Sequence, residues 1–275
     1  MSEAPELIPA ATVLLLRNGE SGVEVLMVRR NSKIAFGGMW AFPGGRVDDD
    51  DADTEIDTVT GAGETTGNGD SSTVGFDAGG FELCGLTPSV EEAGRAAGEV
   101  LAVSRRAAVR EVREETALEI EPGFLVPWSF WVPPPRSVMA RTGPVRRFAT
   151  WFFAVDAPRS EVTIDHGEIH DHEWLTPAGA LTKHHAGDIE LAPPTWISLW
   201  QLSRHDSAGS ALSWARENKP RFFQTKPLQR KPLTLAWGGD AAYELDPEHH
   251  DVIGVDGGRN RLTMRSEGWV YEFTV

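Results

Sequence analysis

Apolar residues fall in short dense runs separated by polar breaks. Ala11–Arg17 (ATVLLLR) and Val23–Arg29 (VEVLMVR) are β-rich, and RNGESG lies between them. With Asn18-Gly19 and Ser21-Gly22 as turn signals, the pattern predicts a β-hairpin. Trp40-Ala41-Phe42 predicts a short strand that stops at Pro43-Gly44-Gly45, a loop whose backbone can turn tightly or approach a ligand closely. Phe124–Val132, Phe148–Val155 and Asp171–Leu175 predict further strands. Thr176-Pro177 opens a helix through Leu181, and Pro193-Pro194 precedes a helical run from Thr195 to Leu202. Leu233–Trp237, Arg261–Met264 and Val270–Phe273 are short strands. There is no internal repeat and no regular βαβ alternation, so the order predicts an α+β fold with a mixed sheet.

The texture changes after Asp48. Acidic side chains dominate as far as Arg95, and TGAGETTGNGDSSTVG in the middle carries almost no apolar anchor. Such a segment cannot bury enough surface to offset its ordering entropy, which predicts a mobile surface insertion. Ser89-Val90-Glu91-Glu92 fits a capping box opening a helix, weakened by Gly94 and Gly98. A second helical pattern runs from about Ser104 to Thr116.

Composition narrows the function. The 275 residues are 40% hydrophobic, ample for a core, and the formal net charge is -15. That charge argues against binding duplex nucleic acid through its phosphates, but admits a small anionic ligand bridged by a metal ion or a local basic pocket. Cys84 is the single cysteine, which excludes a disulfide framework and a cysteine-based zinc site. The acidic start MSEAPELIP lacks the basic opening of a signal peptide, and no apolar run is long enough to span a bilayer. The expectation is a cytoplasmic protein without a membrane partner.

The chemistry concentrates in AAVREVREETALEI. On a helix, Glu111, Glu114 and Glu115 span an arc of about 100°, while Ala108, Val109 and Val112 can face a core. Like charges at i,i+4 cost roughly 0.2–0.5 kcal/mol, and they sit at the helix end where the macrodipole disfavours anions. A solvated acidic face paired to Arg110 and Arg113 tolerates this. A divalent cation would reverse the sign, since Mg²⁺ commonly bridges carboxylates to substrate phosphates.

Arg110-Glu111-Val112-Arg113-Glu114-Glu115 resembles the R-E-U-x-E-E core of the Nudix box, where U is apolar, and Gly44-Gly45 resembles its glycine start. The usual spacer carries another Glu; here an insertion separates the parts, and Asp48 or Asp51 stands in for it. Ala117 occupies the place where the box usually has Gly. FPGGRVDDDD, a long insertion and AAVREVREE together resemble the branch that includes peroxisomal coenzyme A diphosphatases. So do Trp131-Val132-Pro133, RFATWFF at Arg147–Phe153, WLTP at Trp174–Pro177, LAPPT at Leu191–Thr195 and GGDAAY at Gly238–Tyr243. The chain ends in Phe273-Thr274-Val275, without the peroxisomal S-K-L.

The resemblance implies a Nudix-type α/β/α sandwich over residues 1–275, as one elaborated domain. An acidic insertion at 52–103 would split the box, and a C-terminal extension at 205–275 would pack on the domain. It implies hydrolysis of a diphosphate linkage in a nucleotide derivative with Mg²⁺ or Mn²⁺. Coenzyme A or an acyl-coenzyme A would be the substrate, with ADP-ribose, NADH or a dinucleoside polyphosphate as the alternative. Glu111, Glu114 and Glu115 would ligate metal, with Asp51 and the Gly45 carbonyl as further ligands. Arg110 would hold a carboxylate, and Glu168 in DHGEIHDHEW is the loop candidate for the general base. Arg29, Arg30 and Arg147 are candidate phosphate partners, and Trp131 or Trp151 could stack on a base, against a plain core role. A zinc site of His166, His170 and His172 is disfavoured, because Glu168 is one place too late for H-E-x-x-H. A non-catalytic binding module of the same fold is the reading from another class, and a homodimer is left open.

Overall fold

The computed structural model describes residues 7–31, 38–52, 90–134, 147–164, 167–247 and 252–274. The acidic stretch 53–89, with the Ser89 cap, lies outside the described residues.

The predicted hairpin is strand β1 (Leu7–Gly19) paired antiparallel with β2 (Gly22–Arg30), closed in the register Gly19↔Gly22. Gly22, just after the turn residues, takes φ 114, a conformation glycine adopts without steric cost. Short strands β3 (Trp40–Ala41) and β4 (Gly44–Arg46) follow. The two helical patterns expected around residue 100 form one helix, α1 (Val90–Thr116), so Gly94 and Gly98 do not interrupt it. Then come β5 (Val126–Val132), β6 (Arg147–Asp156), β7 (Ile169–Leu175), α2 (Pro177–Ala186), α3 (Pro193–Leu202), α4 (Ala208–Glu217) and β8 (Arg221–Gln224). The chain closes with β9 (Lys226–Arg230), β10 (Leu233–Ala236), β11 (Asn260–Arg265) and β12 (Gly268–Phe273).

The first eight strands form one mixed sheet, ordered β3-β2-β1-β6-β5-β8, with β4 also on β1 and β7 also on β2. β1 runs parallel to β6 and antiparallel to β2 and β4. Alternation along β1 sorts its side chains onto two faces. Ala11, Val13 and Leu15 pack with Ala107, Ala108 and Val112 of α1. Leu14 and Leu16 pack with Ile197 and Leu199 of α3 and Ala211 and Leu212 of α4. The sheet is thus sandwiched between α1 and the α2–α4 group, the α+β arrangement expected.

Strands β9 to β12 form a second, antiparallel sheet. Leu235, Trp237, Leu262 and Tyr271 from it belong to the same buried cluster as Leu14 and Trp131. Its connecting loop is pinned by Asp240, 5% exposed, which accepts from Arg261 Nε at 2.7 Å and from the backbone N–H of Asn260 and Ala242. Among the described residues no helix is long and apolar enough to cross a membrane.

Candidate functional site

The site begins where β4 meets the end of α1. Gly44 has φ 150, and a Cβ there would strike the carbonyl of Ala11 and the Cα of Thr12. A Cβ on Gly45 would strike the Glu111 carboxylate. Two glycines in succession therefore let β4 lie in register on β1 (Ala11↔Gly45, Thr12↔Gly44) and press its backbone against the helix. The Gly44 N–H donates to Glu115 at 2.9 Å. The Thr12 hydroxyl donates to the Pro43 carbonyl at 2.8 Å and steadies the approach.

The three glutamates have different environments. Glu111 and Glu115 are 8% and 3% exposed, one turn apart, facing this turn. The Glu114 side chain is 53% exposed. Burial pushes the Glu111 carboxyl above its ordinary range, against the lowering influence of Arg110. Burial pushes Glu115 up to about 8, although Arg30 and the Gly44 N–H favour its charged form.

Arg110 organises the cluster. Its Nε and Nη2 form a fork on Asp51 at 3.1 and 2.9 Å, and Nη2 also donates to the Arg46 carbonyl at 3.0 Å. Its Nη1 donates to Glu111 at 2.9 Å and to Glu114 at 3.1 Å. The Asp51 hydrogen bonds hold the guanidinium firmly in its charged form. Asp51 is 5% exposed in a 3₁₀ turn (Asp49–Asp51), and it also accepts from its own turn at the Asp48 N–H, 2.8 Å away. Burial raises the Asp51 pKa, but bonds from Arg110 and Asp48 outweigh it, and the net shift is downward. Arg106, one turn before Arg110, donates to the Asp51 carbonyl. Its spacing of four from Arg110 was the available signal for this partnership.

The cluster opens into a cavity of about 850 Å³. Arg30 and Glu168 line it beside the glutamates. Arg30 reaches Glu115 at 3.4 Å, and its buried Nε has no hydrogen-bond partner among the described residues. Glu168 is exposed, and its carbonyl accepts from the Asn31 N–H at 2.7 Å, tying its loop to the end of β2. Arg29 is not brought to this site: it lines a separate depression with Glu173 and Lys183. Arg147 does line the cavity, but its Nε and Nη2 donate to the carbonyls of Pro134 and Pro133, each at 3.0 Å. Trp131 and Trp151 are buried; Trp131 stacks on Phe223 at 4.0 Å, and Trp151 packs on Phe130 and Phe153. Both pack in the core, and Trp131 also lines the cavity.

His170 and His172 stand on β7 and His166 lies outside the described residues. Among the described residues no three His, Cys, Asp or Glu side chains are grouped to hold a metal ion. Glu111 and Glu114 both turn to Arg110, Glu115 turns to Gly44, and Asp51 grips Arg110 with both oxygens.

A NUDIX domain model matches residues 98–194. The match begins inside α1, so the glycine strand β4 lies outside it, although β4 and α1 together build the site. The NUDIX hydrolase from Alicyclobacillus acidocaldarius has a similar structure, with 20% identity, a TM-score of 0.52, and 77% of this chain and 97% of that one covered. That likeness shows a shared fold. Looser matches include the NUDIX domain of Shewanella oneidensis NrtR complexed with ADP ribose, at 17% identity and TM-score 0.40, covering 73% of this chain and 88% of that one. A C. elegans Ap4A hydrolase matches at 14% identity and TM-score 0.37, covering 72% of this chain and 96% of that one. No curated protein matches the chain significantly.

Proposed function

We propose that this chain is a metal-dependent NUDIX hydrolase that cleaves a diphosphate linkage in a nucleoside diphosphate derivative, working as one elaborated domain. The observation that carries this reading is the pair of buried carboxylates, Glu111 and Glu115, set against the Gly44-Gly45 turn at the mouth of a large cavity.

The residues suit Mg²⁺ or Mn²⁺. The donors are hard carboxylate oxygens, and the missing Cβ at Gly45 leaves the Glu111 carboxylate in contact with bare backbone. Glu111, Glu114 and Glu115 would hold the ion. Glu114 is half-exposed and bound through a single contact to Arg110, so it is the carboxylate that exchanges that contact most cheaply. When bound, the ion would neutralise the phosphates and lower the pKa of an attacking water. Asp51 serves as the anchor of Arg110, and Arg110 orients Glu111 and Glu114. Arg30, which lines the cavity, binds a phosphate oxygen. Glu168 is the general base, taking the proton of the attacking water from its exposed position on the cavity rim.

Coenzyme A, an acyl-coenzyme A, ADP-ribose, NADH and dinucleoside polyphosphates all carry the required linkage. The test is a product assay by mass spectrometry with each of these, with Mg²⁺ or Mn²⁺ and with chelator. Metal-dependent cleavage of the anhydride supports the reading and ranks the substrates. A folded protein that binds metal and cleaves none of them would instead support a binding module.

A further inference from the structure

The Asp51 turn and the end of α1 meet in space but are far apart along the chain. Arg46 and Asp51 lie 64 and 59 residues before Arg110, so bonds rather than a short connection hold them together. The turn itself is small, three residues of 3₁₀ helix at Asp49–Asp51. Its internal bonds run from the Asp51 N–H to the Asp48 carbonyl and from the Ala52 N–H to the Asp49 carbonyl, each at 3.0 Å. A helix this short leaves its last carbonyls without a partner of its own, and they form the negative end of its dipole.

Arg106 meets that end. Its Nε donates to the Asp51 carbonyl, while Arg110, one turn further along α1, takes the Asp51 carboxylate with Nε and Nη2. Two arginines at i,i+4 repel each other on a bare helix. Here the shared Asp51 accepts from both. The two grips differ in what they fix. The Arg110 fork holds a carboxylate at the end of two rotatable bonds. The Arg106 bond holds the backbone that carries this side chain, so the carboxylate starts from a fixed place.

We infer that Arg106 is a positioning residue of this site. By holding the Asp51 carbonyl it keeps the Asp51 carboxylate on Arg110, and Arg110 in turn aims Glu111 and Glu114. This rests on the reading of those glutamates as the group that holds a divalent metal ion.

The test uses the full chain, first without metal and then with it. Arg106 is half-buried, so Arg106→Gln fits without burying a charge. In chelator, the Arg110 Nε–H resonance is followed by NMR. In wild type it should exchange slowly with water, because it donates to Asp51, which is 5% exposed. Arg106→Gln should speed that exchange severalfold, and Arg106→Lys, which keeps a charged donor, should restore most of the protection. With Mn²⁺, calorimetry should give a Kd raised about tenfold in Arg106→Gln, the loss expected for a residue acting behind metal ligands. The loss should shrink in Asp51→Ala, where the carbonyl remains but there is no carboxylate to position. Unchanged exchange or an unchanged Kd in folded Arg106→Gln, with only Tm lowered, would overturn the inference. A full loss persisting in Asp51→Ala would do the same. Wild type that binds no Mn²⁺ would instead sink the metal reading, and the exchange rates in chelator would still decide the role of Arg106.

Discussion

Arg110 pairs with four carboxylates, Asp48, Asp51, Glu111 and Glu114, and burial predicts that they are unequal partners. Asp51 is 5% exposed and takes a two-pronged contact at 2.9 and 3.1 Å. Glu114 is an i,i+4 partner with one contact at 3.1 Å and a side chain 53% exposed. Hydrogen bonds to charged groups are worth about 1.5–3 kcal/mol, and close buried charge pairs couple by about 1.5–7 kcal/mol. With the Arg110 side chain itself 21% exposed, the Asp51 coupling should fall near the lower part of that range, about 2–4 kcal/mol. An exposed i,i+4 pair should couple by only about 0.3–0.5 kcal/mol. The assay is a pair of double-mutant cycles from urea unfolding at pH 7 with chelator, using Arg110→Ala, Asp51→Ala, Glu114→Ala and the two doubles. Arg110→Ala alone should cost about 3–5 kcal/mol, because it leaves the Asp51 charge buried and unpaired. Its effect should shrink sharply once Asp51 is gone. Equal couplings to Asp51 and Glu114 would refute the assignment of Asp51 as the anchor of the site.

Glu114→Gln should lower metal-dependent kcat by at least about a hundredfold, with an unchanged urea midpoint because the side chain is half in water; near-wild-type turnover would sink its role. Ala117 ends α1 at φ 56 with its N–H on the Arg113 carbonyl, so it holds the left-handed turn without being glycine. The strain is about 1–2 kcal/mol and the added chain entropy of glycine about 0.4–1 kcal/mol, so Ala117→Gly should stabilise by roughly 0.5–1 kcal/mol, read as a higher Tm. Burial raises the Asp240 pKa, but bonds from Arg261, Asn260 and Ala242 lower it below 3.8 overall. A depressed folded pKa means its contribution is full above about 3.8 and is lost as pH falls through the folded value. Stability measured from pH 5 to pH 2 should therefore fall less in Asp240→Asn than in wild type, and parallel curves would contradict this.

Local pattern alone located the β1–β2 hairpin, the strands at Trp40, Phe148 and Asp171, the proline starts of α2 and α3, and the helix carrying Glu111, Glu114 and Glu115. These signals are short-range: turn glycines, helix-opening prolines and the periods of apolar residues. Helix α4 was not legible, because SAGSALSWARE is built of small residues and declares itself only through the Ser207 cap and its packing against β5 and β6. Strands β8 and β9 were missed for a related reason: RFFQ and KPLQR carry charge and proline, and they become strands by pairing with β5 and β10. Within the site, the sequence names three glutamates of one helix, yet cannot say that two are buried and one is half-exposed. Neighbouring Arg29 and Arg30 look alike in the chain; the register of β2 sends one to the cavity and the other away from it. Arg147 reads as a phosphate partner, and only the structure shows the Pro133 and Pro134 carbonyls on its Nε and Nη2. Residue type and spacing determine which chemistry a chain can offer, because they act through bonds and turns a few residues long. Which carboxylate is dry, which arginine is engaged and what lines the cavity depend on groups brought together from distant parts of the chain, and only tertiary packing decides those.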